Sequence, residues 1–380
     1  MQIDFAQSEA STLGIEWEIA LVDAQSADLR SVAQEVLDGI KLQDGLGIDD
    51  EHPRVTQELL SNTVELVTGV HHEVASARAE LSETLAEVRR ITDPLGVELY
   101  SAGSHPFAPP ELQPVTDKER YATLIDRTQW WGRQMVIYGV HVHVGLDHSA
   151  KALPIVDGLI NYQPHLLALS ASSPFWSGND TGYASQRSLM FQQLPTGGLP
   201  FHFDQWSEYE KYVADMVHTG VVDEINEIRW DVRPVPRFGT VEMRICDGLT
   251  SIREVAAVAA FTQCLVADMS AQLDAGRHIP VMSNWFRVEN KWRAARYGLD
   301  AIIILDSAGN EKLVTEHLAD ELTRLAPVAK RLGCEQELAD VWRIVTEGAG
   351  YQRQRAVAAA HDGDLREVVL QNTRRLRMED

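Results

Sequence analysis

Residues 14–23, Gly14-Ile15-Glu16-Trp17-Glu18-Ile19-Ala20-Leu21-Val22-Asp23, form the first segment with a clear structural pattern. Large apolar residues alternate with Glu16 and Glu18, which is typical of a β-strand with one buried face. Successive side chains of a strand point to opposite faces, so the two glutamates share a face, about 7 Å apart. Neighbouring carboxylates repel each other unless a positive charge lies between them. The segment therefore predicts either a solvated polar face or a cation site.

The length and composition of the whole chain are those of a globular protein. It has 380 residues, of which 44% are hydrophobic and 24% are charged, and this is enough material for a buried core. We expect a single domain over residues 1–380, with the motifs in 12–300 and a helical part in 301–380. The net charge of −22 opposes binding to nucleic acid, and it repels an anionic substrate unless local cations recruit one.

Three features of the sequence predict a cytoplasmic location. The amino-terminal residues 1–5 lack the basic and apolar regions of a secretory signal. No run of about 18 apolar residues predicts a membrane span. The cysteines are too widely spaced for a disulfide framework or a four-cysteine zinc site, at Cys246, Cys264 and Cys334.

The predicted strands concentrate before residue 250, and the pattern after it is almost wholly helical. Strands are predicted at 12–23, 97–102, 136–146, 228–234 and 239–247, and residues 56–60 and 63–69 are predicted to form two strands or one bent strand pair. The main helices in this part are predicted at 30–40, 71–92, 119–135, 151–172 and 204–219. Because several strands join through short turns, we expect an α+β fold, with a mainly antiparallel sheet and helices packed on its outer side. The region after residue 300 carries no motif and is expected to pack behind the sheet, whose exposed edges favour a homo-oligomer of unspecified size.

Acids and histidines recur in or beside these predicted strands, at Glu16, Glu18, Glu58, Glu65, His141, His143 and Glu242. Each one alone is most simply a residue on a solvated face. Together, in strands rich in valine, isoleucine and leucine, they indicate a cluster of carboxylates with imidazole. That donor set suits Mg²⁺ or Mn²⁺, whereas a zinc site would normally contain more histidine or cysteine.

Arginines accompany the acids in the same part of the chain, at Arg187, Arg229, Arg233, Arg237 and Arg244. Metals held by carboxylates beside arginines are typical of a polyphosphate site. The sequence contains no phosphate-binding P-loop, no dinucleotide-binding glycine motif and no Gly-x-Ser-x-Gly nucleophile elbow. The long loop at 172–187, which contains Tyr183, has the length and aromatic content of a functional loop, and Cys246 is interpreted as a small core residue.

The motifs resemble one known family, the type 2 glutamate–cysteine ligases, which are also called carboxylate–amine ligases and are distant relatives of glutamine synthetase. The resemblance covers about residues 12–300. It rests on five segments in the family's order: Gly14–Glu18, Gln57–Gly69, His141–Gly145, the loop from Ser173 to Arg187, and Thr240–Arg244.

The resemblance implies a fold and a reaction. The fold is a curved antiparallel sheet whose concave face holds the metals and ATP. The reaction joins the γ-carboxylate of L-glutamate to the amine of L-cysteine through an acyl phosphate, giving γ-glutamylcysteine, ADP and phosphate. The cofactors are ATP and two or more Mg²⁺ or Mn²⁺ ions. One ion is held by Glu18, Glu58 and Glu65, and a second by Glu16, His141 and Glu242.

Further roles follow for the cationic residues. Arg244 and Arg233 are assigned to the phosphate or the transferring group, and Arg187 to a substrate carboxylate. His143 is expected to contact phosphate or substrate, with Arg229, Arg237 and Tyr183 in the same binding set. Three alternatives stay open: a ligase with a different amine acceptor, a guanidino kinase, and a non-catalytic nucleotide-binding protein. The complete set of six metal ligands argues against the last of these.

Overall fold

The computed structural model describes residues 1–379. Its strands are β1 (Leu13–Asp23), β2 (Val55–Gln57), β3 (Thr63–Val67), β4 (Val97–Tyr100), β5 (Gly139–Gly145), β6 (Phe175–Trp176), β7 (Asn179–Asp180), β8 (Val232–Val235), β9 (Thr240–Asp247), β10 (Ile302–Ile304) and β11 (Glu311–Leu313). Its α-helices are α1 (Ala33–Gln43), α2 (Val74–Thr92), α3 (Glu119–Thr128), α4 (Trp130–Arg133), α5 (Ala152–Ser170), α6 (Arg187–Phe191), α7 (Trp206–His218), α8 (Ile252–Asp274), α9 (Asn284–Tyr297), α10 (Val314–Leu332), α11 (Glu335–Glu347), α12 (Gly350–Ala360) and α13 (Leu365–Met378).

The main sheet has seven strands in the order β2-β3-β1-β5-β9-β8, and β4 pairs with the end of β1. Every pairing in it is antiparallel. Strand β1 lies near the centre and pairs with three neighbours. Its alternating pattern therefore determines which side chains of those neighbours lie on each face of the sheet. The predicted antiparallel α+β fold is confirmed.

The two faces of β1 have opposite chemistry. Leu13, Ile15, Trp17 and Ile19 are buried in the largest core cluster, together with apolar residues of α2, α5 and α8. Burial of each such side chain contributes about 1.5–3 kcal/mol. Helix α8 is long and apolar enough to cross a membrane, but 89% of its most apolar window is buried inside this core. Helices therefore cover one face of the sheet and leave the glutamates on the other.

The carboxyl-terminal part departs from the all-helical prediction. Strands β10 and β11 form a small antiparallel hairpin within it, because three consecutive isoleucines at 302–304 favour a strand. Helices α10 and α11 pack on α8, behind the sheet. Helix α13 is not behind the sheet. Its Val369 and Leu370 cluster with Ala20 and Val22, on the face of β1 that carries the glutamates.

Two element boundaries near the glutamates also differ from prediction. Glu58 lies one residue beyond β2, because Leu59 and Leu60 pair with the segment 115–116 instead of with β3. The helix predicted at 119–135 is interrupted at Gln129, whose φ of 49° is not helical, and it forms α3 and α4.

Candidate active site

The antiparallel register of β1 brings acids and histidines from three strands together. Glu18 lies opposite Glu65 of β3, and Glu16 lies opposite His141 of β5. Opposite residues of antiparallel strands point to the same face. This face, called the carboxylate face below, therefore collects side chains that are far apart in sequence.

Strand β9 extends the carboxylate face toward the edge strand β8. Glu242 lies opposite His143 of β5 on one side and opposite Arg233 of β8 on the other. Its side chain is fully buried. It accepts a hydrogen bond of 2.6 Å from Nε of Arg233 and another from Nη1 of Arg244. A buried carboxylate thus holds two guanidinium groups at the same face.

The first group of acids consists of Glu18, Glu58 and Glu65, which offer oxygen atoms within 4.8 Å of one another. Burial raises the pKa of Glu18 to about 7, and the charge of Glu58 acts in the same direction. Burial also raises the pKa of Glu58, and that of Glu65 well above its usual value. In the absence of a cation, burial and mutual repulsion favour the protonated forms of these acids, and a divalent cation can replace their protons.

Two further groups share Glu16. One combines it with His143 and Glu242, and the other with His141 and Glu65. One oxygen of Glu16 lies 3.0 Å from Nδ1 of His141, and the other lies 3.2 Å from Nε2 of His143. Burial would raise the pKa of Glu16, but these two hydrogen bonds outweigh it and hold the pKa well below its usual value.

Both histidines lie beside the second metal site that the family resemblance implies. His143 forms a group with Glu16 and Glu242, and Nδ1 of His141 and Nε2 of His143 lie 3.8 and 3.7 Å from the same oxygen of Glu242. A register shift between β5 and β9 at Val140–Val142 places Glu242 opposite His143. Burial lowers the pKa of His141 to about 4, so its imidazole is neutral and can ligate a metal.

The donor set of the carboxylate face fits hard divalent cations. Carboxylate oxygens dominate it, with one or two imidazoles, which matches the preference of Mg²⁺ and Mn²⁺. No cysteine belongs to any of the three groups formed by the described residues. The raised pKa values of the first group are a second indication, since buried acids that repel each other gain most from a shared cation.

The arginines beside Glu242 hold its buried carboxylate in the charged form. Burial would raise the pKa of Glu242, but Arg233 and Arg244 outweigh it and lower the pKa strongly. Nη1 of Arg233 also donates to the carbonyl oxygens of Asn226 and Ile228, at 2.9 and 2.7 Å. Both guanidinium groups are therefore fixed next to the group formed by Glu16, His143 and Glu242, where they can neutralise phosphate charge.

Arg187, which was predicted to bind a substrate carboxylate, is buried against β5 and β9. Its side chain is 3% exposed, and Nη1 donates at 3.3–3.4 Å to the carbonyl oxygens of Arg244 and Ile245. Among residues 1–379, its Nε has no hydrogen-bond partner. Gly139 leaves space for this guanidinium, because a Cβ there would collide with Nη2, and the N–H of Gly139 donates to Glu18. The contacts of Arg187 support a role in holding β9 and β5 beside the acids.

The remaining predicted binding residues lie at the periphery. Arg229 donates to the carbonyl oxygen of Glu227, at 3.0 Å. Arg237 is exposed and stacks on Phe238, 4.3 Å from the ring centroid. Tyr183 lies beneath Arg296. In the described part of the chain, Arg229, Arg237 and Tyr183 make no hydrogen bond to a member of the three ligand groups.

Asp247 is a structural residue that the sequence analysis did not single out. It is fully buried at the end of β9, and burial raises its pKa. Its carboxylate accepts from the backbone N–H of Ser172 at 3.0 Å and from the hydroxyls of Ser173 and Ser185 at 2.7 and 2.9 Å. These bonds attach both ends of the loop at 172–187 to the sheet. In the sequence, the signal for this role was a single acidic residue at the end of an apolar strand.

Two contacts near the first group were also missed. Thr56 lies opposite Glu65, and its hydroxyl donates to that carboxylate at 3.1 Å. The hydroxyl of Tyr121 on α3 donates to the carbonyl oxygen of Gln57 at 3.2 Å and accepts from Arg120. Helix α3 therefore begins beside Glu58. The amphipathic pattern of α3 predicted a helix but gave no information about where it packs.

Two solved structures share the fold of this chain. The chain superposes on a glutamate–cysteine ligase from Francisella tularensis, in complex with AMP, with a TM-score of 0.68 over 98% of this chain and 89% of that one, at 15% identity. A bifunctional glutathione synthetase from Pasteurella multocida gives 0.67 over 97% of this chain and 52% of that one, at 16% identity. At these identities the likeness shows the fold alone.

Sequence comparison gives the family. The profile of glutamate–cysteine ligase family 2 matches residues 12–371. The chain is 67% identical over 378 residues to "Putative glutamate--cysteine ligase 2-1" of Arthrobacter sp. (strain FB24), covering 99% of both chains. It is 57% identical over 368 residues to "Putative glutamate--cysteine ligase 2" of Mycobacterium tuberculosis (strain ATCC 25618 / H37Rv), covering 97% of this chain and 96% of that one. The chain belongs to glutamate–cysteine ligase family 2, as its motifs indicated, and is a ligase.

Proposed function

We propose that this ligase joins the γ-carboxylate of L-glutamate to the amine of L-cysteine at the expense of ATP. The observation that carries the proposal is the carboxylate face itself. Three ligand groups meet there, and two arginines bind the buried carboxylate of Glu242 beside them. Such a face suits the approach of two anions, a carboxylate and a triphosphate, which would otherwise repel each other.

We propose divalent cations, Mg²⁺ or Mn²⁺, as the partners of this face. Glu18, Glu58 and Glu65 would hold one ion, and Glu16 with Glu242 and a histidine would hold another. When bound, such ions neutralise phosphate oxygens and fix the positions of the two anionic reactants. All of these ligands except Glu58 project from strands, and a sheet keeps their spacing rigid.

The chemistry that we propose needs no protein nucleophile. An oxygen of the γ-carboxylate attacks the γ-phosphorus, and the bond to ADP breaks, which gives an acyl phosphate. The amine then attacks the acyl carbon, loses a proton and expels phosphate. We assign to Arg233 and Arg244 the stabilisation of the charge that spreads over the transferring phosphoryl group. Cys246 takes no part, since burial raises its pKa to about 12 and keeps its thiol protonated.

Measurement of ADP and phosphate release tests the proposal. ATP is supplied with glutamate alone, then with cysteine, and then with each other candidate amine. We expect turnover that requires Mg²⁺ or Mn²⁺, glutamate and one amine, with cysteine giving the highest kcat/KM. Tight binding of Mg-ATP without turnover for any acid and amine would refute the ligase assignment of this site. A better amine than cysteine would keep the mechanism and change the product.

The proposed product gives the enzyme a place in metabolism. A γ-glutamyl amide of cysteine is a low-molecular-weight thiol precursor, and the free thiol is maintained in a reducing compartment. The three cysteines of the chain are free and buried. We therefore propose that the enzyme works in the cytoplasm, in the synthesis of glutathione or a related low-molecular-weight thiol.

A further inference from the structure

Helix α3 stands apart from the hydrophobic core. Only two of its ten residues, Tyr121 and Ile125, are buried. Neither belongs to any of the four core clusters formed by residues 1–379. The helices behind the sheet differ, since α2, α5 and α8 each contribute several residues to the largest cluster. Because burial of apolar surface is the main source of stability, α3 is held less firmly than these helices.

Polar contacts at both ends determine where α3 lies. Near its beginning, the hydroxyl of Tyr121 donates to the carbonyl oxygen of Gln57 in β2. Near its end, Nη2 of Arg127 donates to both carboxylate oxygens of Asp223, each at 2.9 Å, and Nη1 lies 3.6 Å from Glu227. The segment that carries these two acids is hydrogen-bonded to β8. Since β2 and β8 are opposite edges of the sheet, α3 spans the sheet from one edge to the other.

Electrostatic contacts show that α3 crosses the carboxylate face of the sheet. Burial raises the pKa of Tyr121, and the charges of Glu58 and Glu65 act in the same direction. At the other end, burial lowers the pKa of Arg229, and the charges of Arg244 and Arg127 act in the same direction. The helix therefore passes from the first group of acids to the arginines of β8 and β9.

The two ends of α3 differ in how the backbone is held. Before the helix, the hydroxyl of Thr116 donates to the carbonyl oxygen of Glu58 at 2.7 Å, and its N–H donates to that of Leu59 at 2.9 Å. After the helix, Gln129 has a φ of 49° and a ψ of −116°. Glycine adopts such angles readily, whereas they are strained for a residue with a side chain. The helix thus lies between a fixed point at Thr116 and a strained joint at Gln129.

We propose that α3 is a lid over the carboxylate face, hinged at Gln129 and closed by the ion pairs of Arg127 with Asp223 and Glu227. When open, the lid admits substrates and releases product. When closed, it keeps water away from the reacting groups. The inference rests on the proposed function only for what the lid encloses, and its opening can be measured without any substrate.

Hydrogen exchange of the free protein, followed by mass spectrometry, measures this opening. We expect the backbone amides of α3 to exchange at least about 100-fold faster than those of the core helix α2. Exchange in α3 that is as slow as in α2 would overturn the inference.

Reversal of the charge of Arg127 tests the ion pairs that close the lid. We expect Arg127→Glu to speed exchange in α3 about fivefold or more, since two attractions become repulsions. A second change, Asp223→Arg, should restore the slower exchange by pairing the reversed charges. Arg90→Glu, on the exposed side of α2, is the matched control and should leave exchange in α3 unchanged. An Arg127→Glu protein with wild-type exchange in α3 would overturn the inference.

Relief of the strain at Gln129 should have the opposite effect. Glycine tolerates the angles of the closed state, so we expect Gln129→Gly to stabilise the closed lid and slow exchange in α3 about fivefold. A glycine without this role would loosen the chain and speed exchange. Unchanged or faster exchange in α3 of the Gln129→Gly protein would overturn the hinge and with it the inference.

The non-hydrolysable ATP analogue AMP-PNP, supplied with Mg²⁺, tests what lies beneath the lid. We expect saturating Mg-AMP-PNP to slow exchange in α3 about fivefold or more and to leave α2 unchanged. Unchanged exchange in α3 of a saturated protein would overturn the inference. A protein that binds no Mg-AMP-PNP, but whose α3 responds to Arg127→Glu and Gln129→Gly as expected, would contradict the proposed function and support the lid.

Discussion

At the scale of single residues, Glu16 is the centre of the site. It contacts His141 through one carboxylate oxygen and His143 through the other, and it belongs to two of the three ligand groups. The alternation of side chains along the strand predicted the face of the sheet on which Glu16 lies, because a strand has only two faces. The pairing of Glu242 with His143 was beyond prediction, since it depends on a register shift between β5 and β9 that leaves no mark in either strand.

Replacement of Glu65 by glutamine separates function from folding. Burial and three neighbouring acids raise the pKa of Glu65 well above its usual value, so they favour its neutral form, and a neutral glutamine in its place should not lower the melting temperature. We expect loss of detectable phosphate release, because the first ligand group loses an anionic oxygen. Glu35→Gln, on the exposed side of α1, is the control. Wild-type activity in the Glu65→Gln protein would remove Glu65 from the proposed metal site.

Arg244 is predicted to act on the reaction step more than on ATP binding. Its guanidinium donates to Glu242 and lies 3.5 Å from Nδ1 of His141. We expect Arg244→Ala to lower kcat by about 100-fold or more, the range found when a charge-stabilising donor is removed, while the Kd for ATP changes by much less. Single-turnover kinetics and equilibrium binding measure the two quantities. An unchanged kcat would exclude the assigned role.

The raised pKa values predict how cation binding depends on pH. In the absence of a cation, the folded protein keeps protons on Glu18 up to its pKa of about 7, whereas the unfolded chain loses them above its usual value of about 4.3. The acid cluster therefore costs stability as pH rises between these values, and a cation reverses that cost. We expect Mg²⁺ to raise the melting temperature more near pH 8 than near pH 5.5. If the rise in melting temperature caused by Mg²⁺ does not change with pH, the assignment of these acids as ligands is contradicted.

At the scale of elements, most strands and helices followed from periodicity, and the departures have local causes. Glu58 leaves the strand because Leu59 and Leu60 pair elsewhere, and Gln129 breaks a helix through its backbone angle. The contact between α5 and α10 was not predictable, since periodicity identifies a buried face but not its partner. It contains a histidine pair, with Nε2 of His165 2.7 Å from Nδ1 of His317.

This histidine pair predicts acid sensitivity of the helical layer. Burial lowers the pKa of His165 to about 3 and also lowers that of His317, so below about pH 6.5 the unfolded chain takes up protons that the folded chain refuses. Stability is therefore lost as pH falls. We expect His165→Gln to make the free energy of unfolding less dependent on pH between about 7 and 5, by up to about 1.4 kcal/mol per pH unit.

Chemical denaturation at several pH values measures this dependence. His361→Gln, on the exposed end of α12, serves as the control and should leave the dependence unchanged. Equal pH dependence in the wild-type and His165→Gln proteins would contradict the role of the buried pair.

At the scale of the whole molecule, one strand with alternating chemistry organises both layers. The apolar side of β1 joins the core with α2, α5 and α8, and its acidic side joins the ligand groups. The antiparallel sheet with helices behind it was predictable from the sequence. The docking of the amino-terminal segment was not, because Ile3 is held by Trp206 and Glu210 of α7, far away in the sequence.

The central claim is that the carboxylate face activates a substrate carboxylate by phosphorylation. Oxygen transfer tests it most directly, with glutamate labelled by ¹⁸O in its γ-carboxylate and turned over with ATP and the best amine. Because the acyl carbon loses an oxygen when phosphate leaves, we predict one ¹⁸O atom in each phosphate released, detected by mass spectrometry. Amide formation with phosphate that contains no ¹⁸O would contradict the claim.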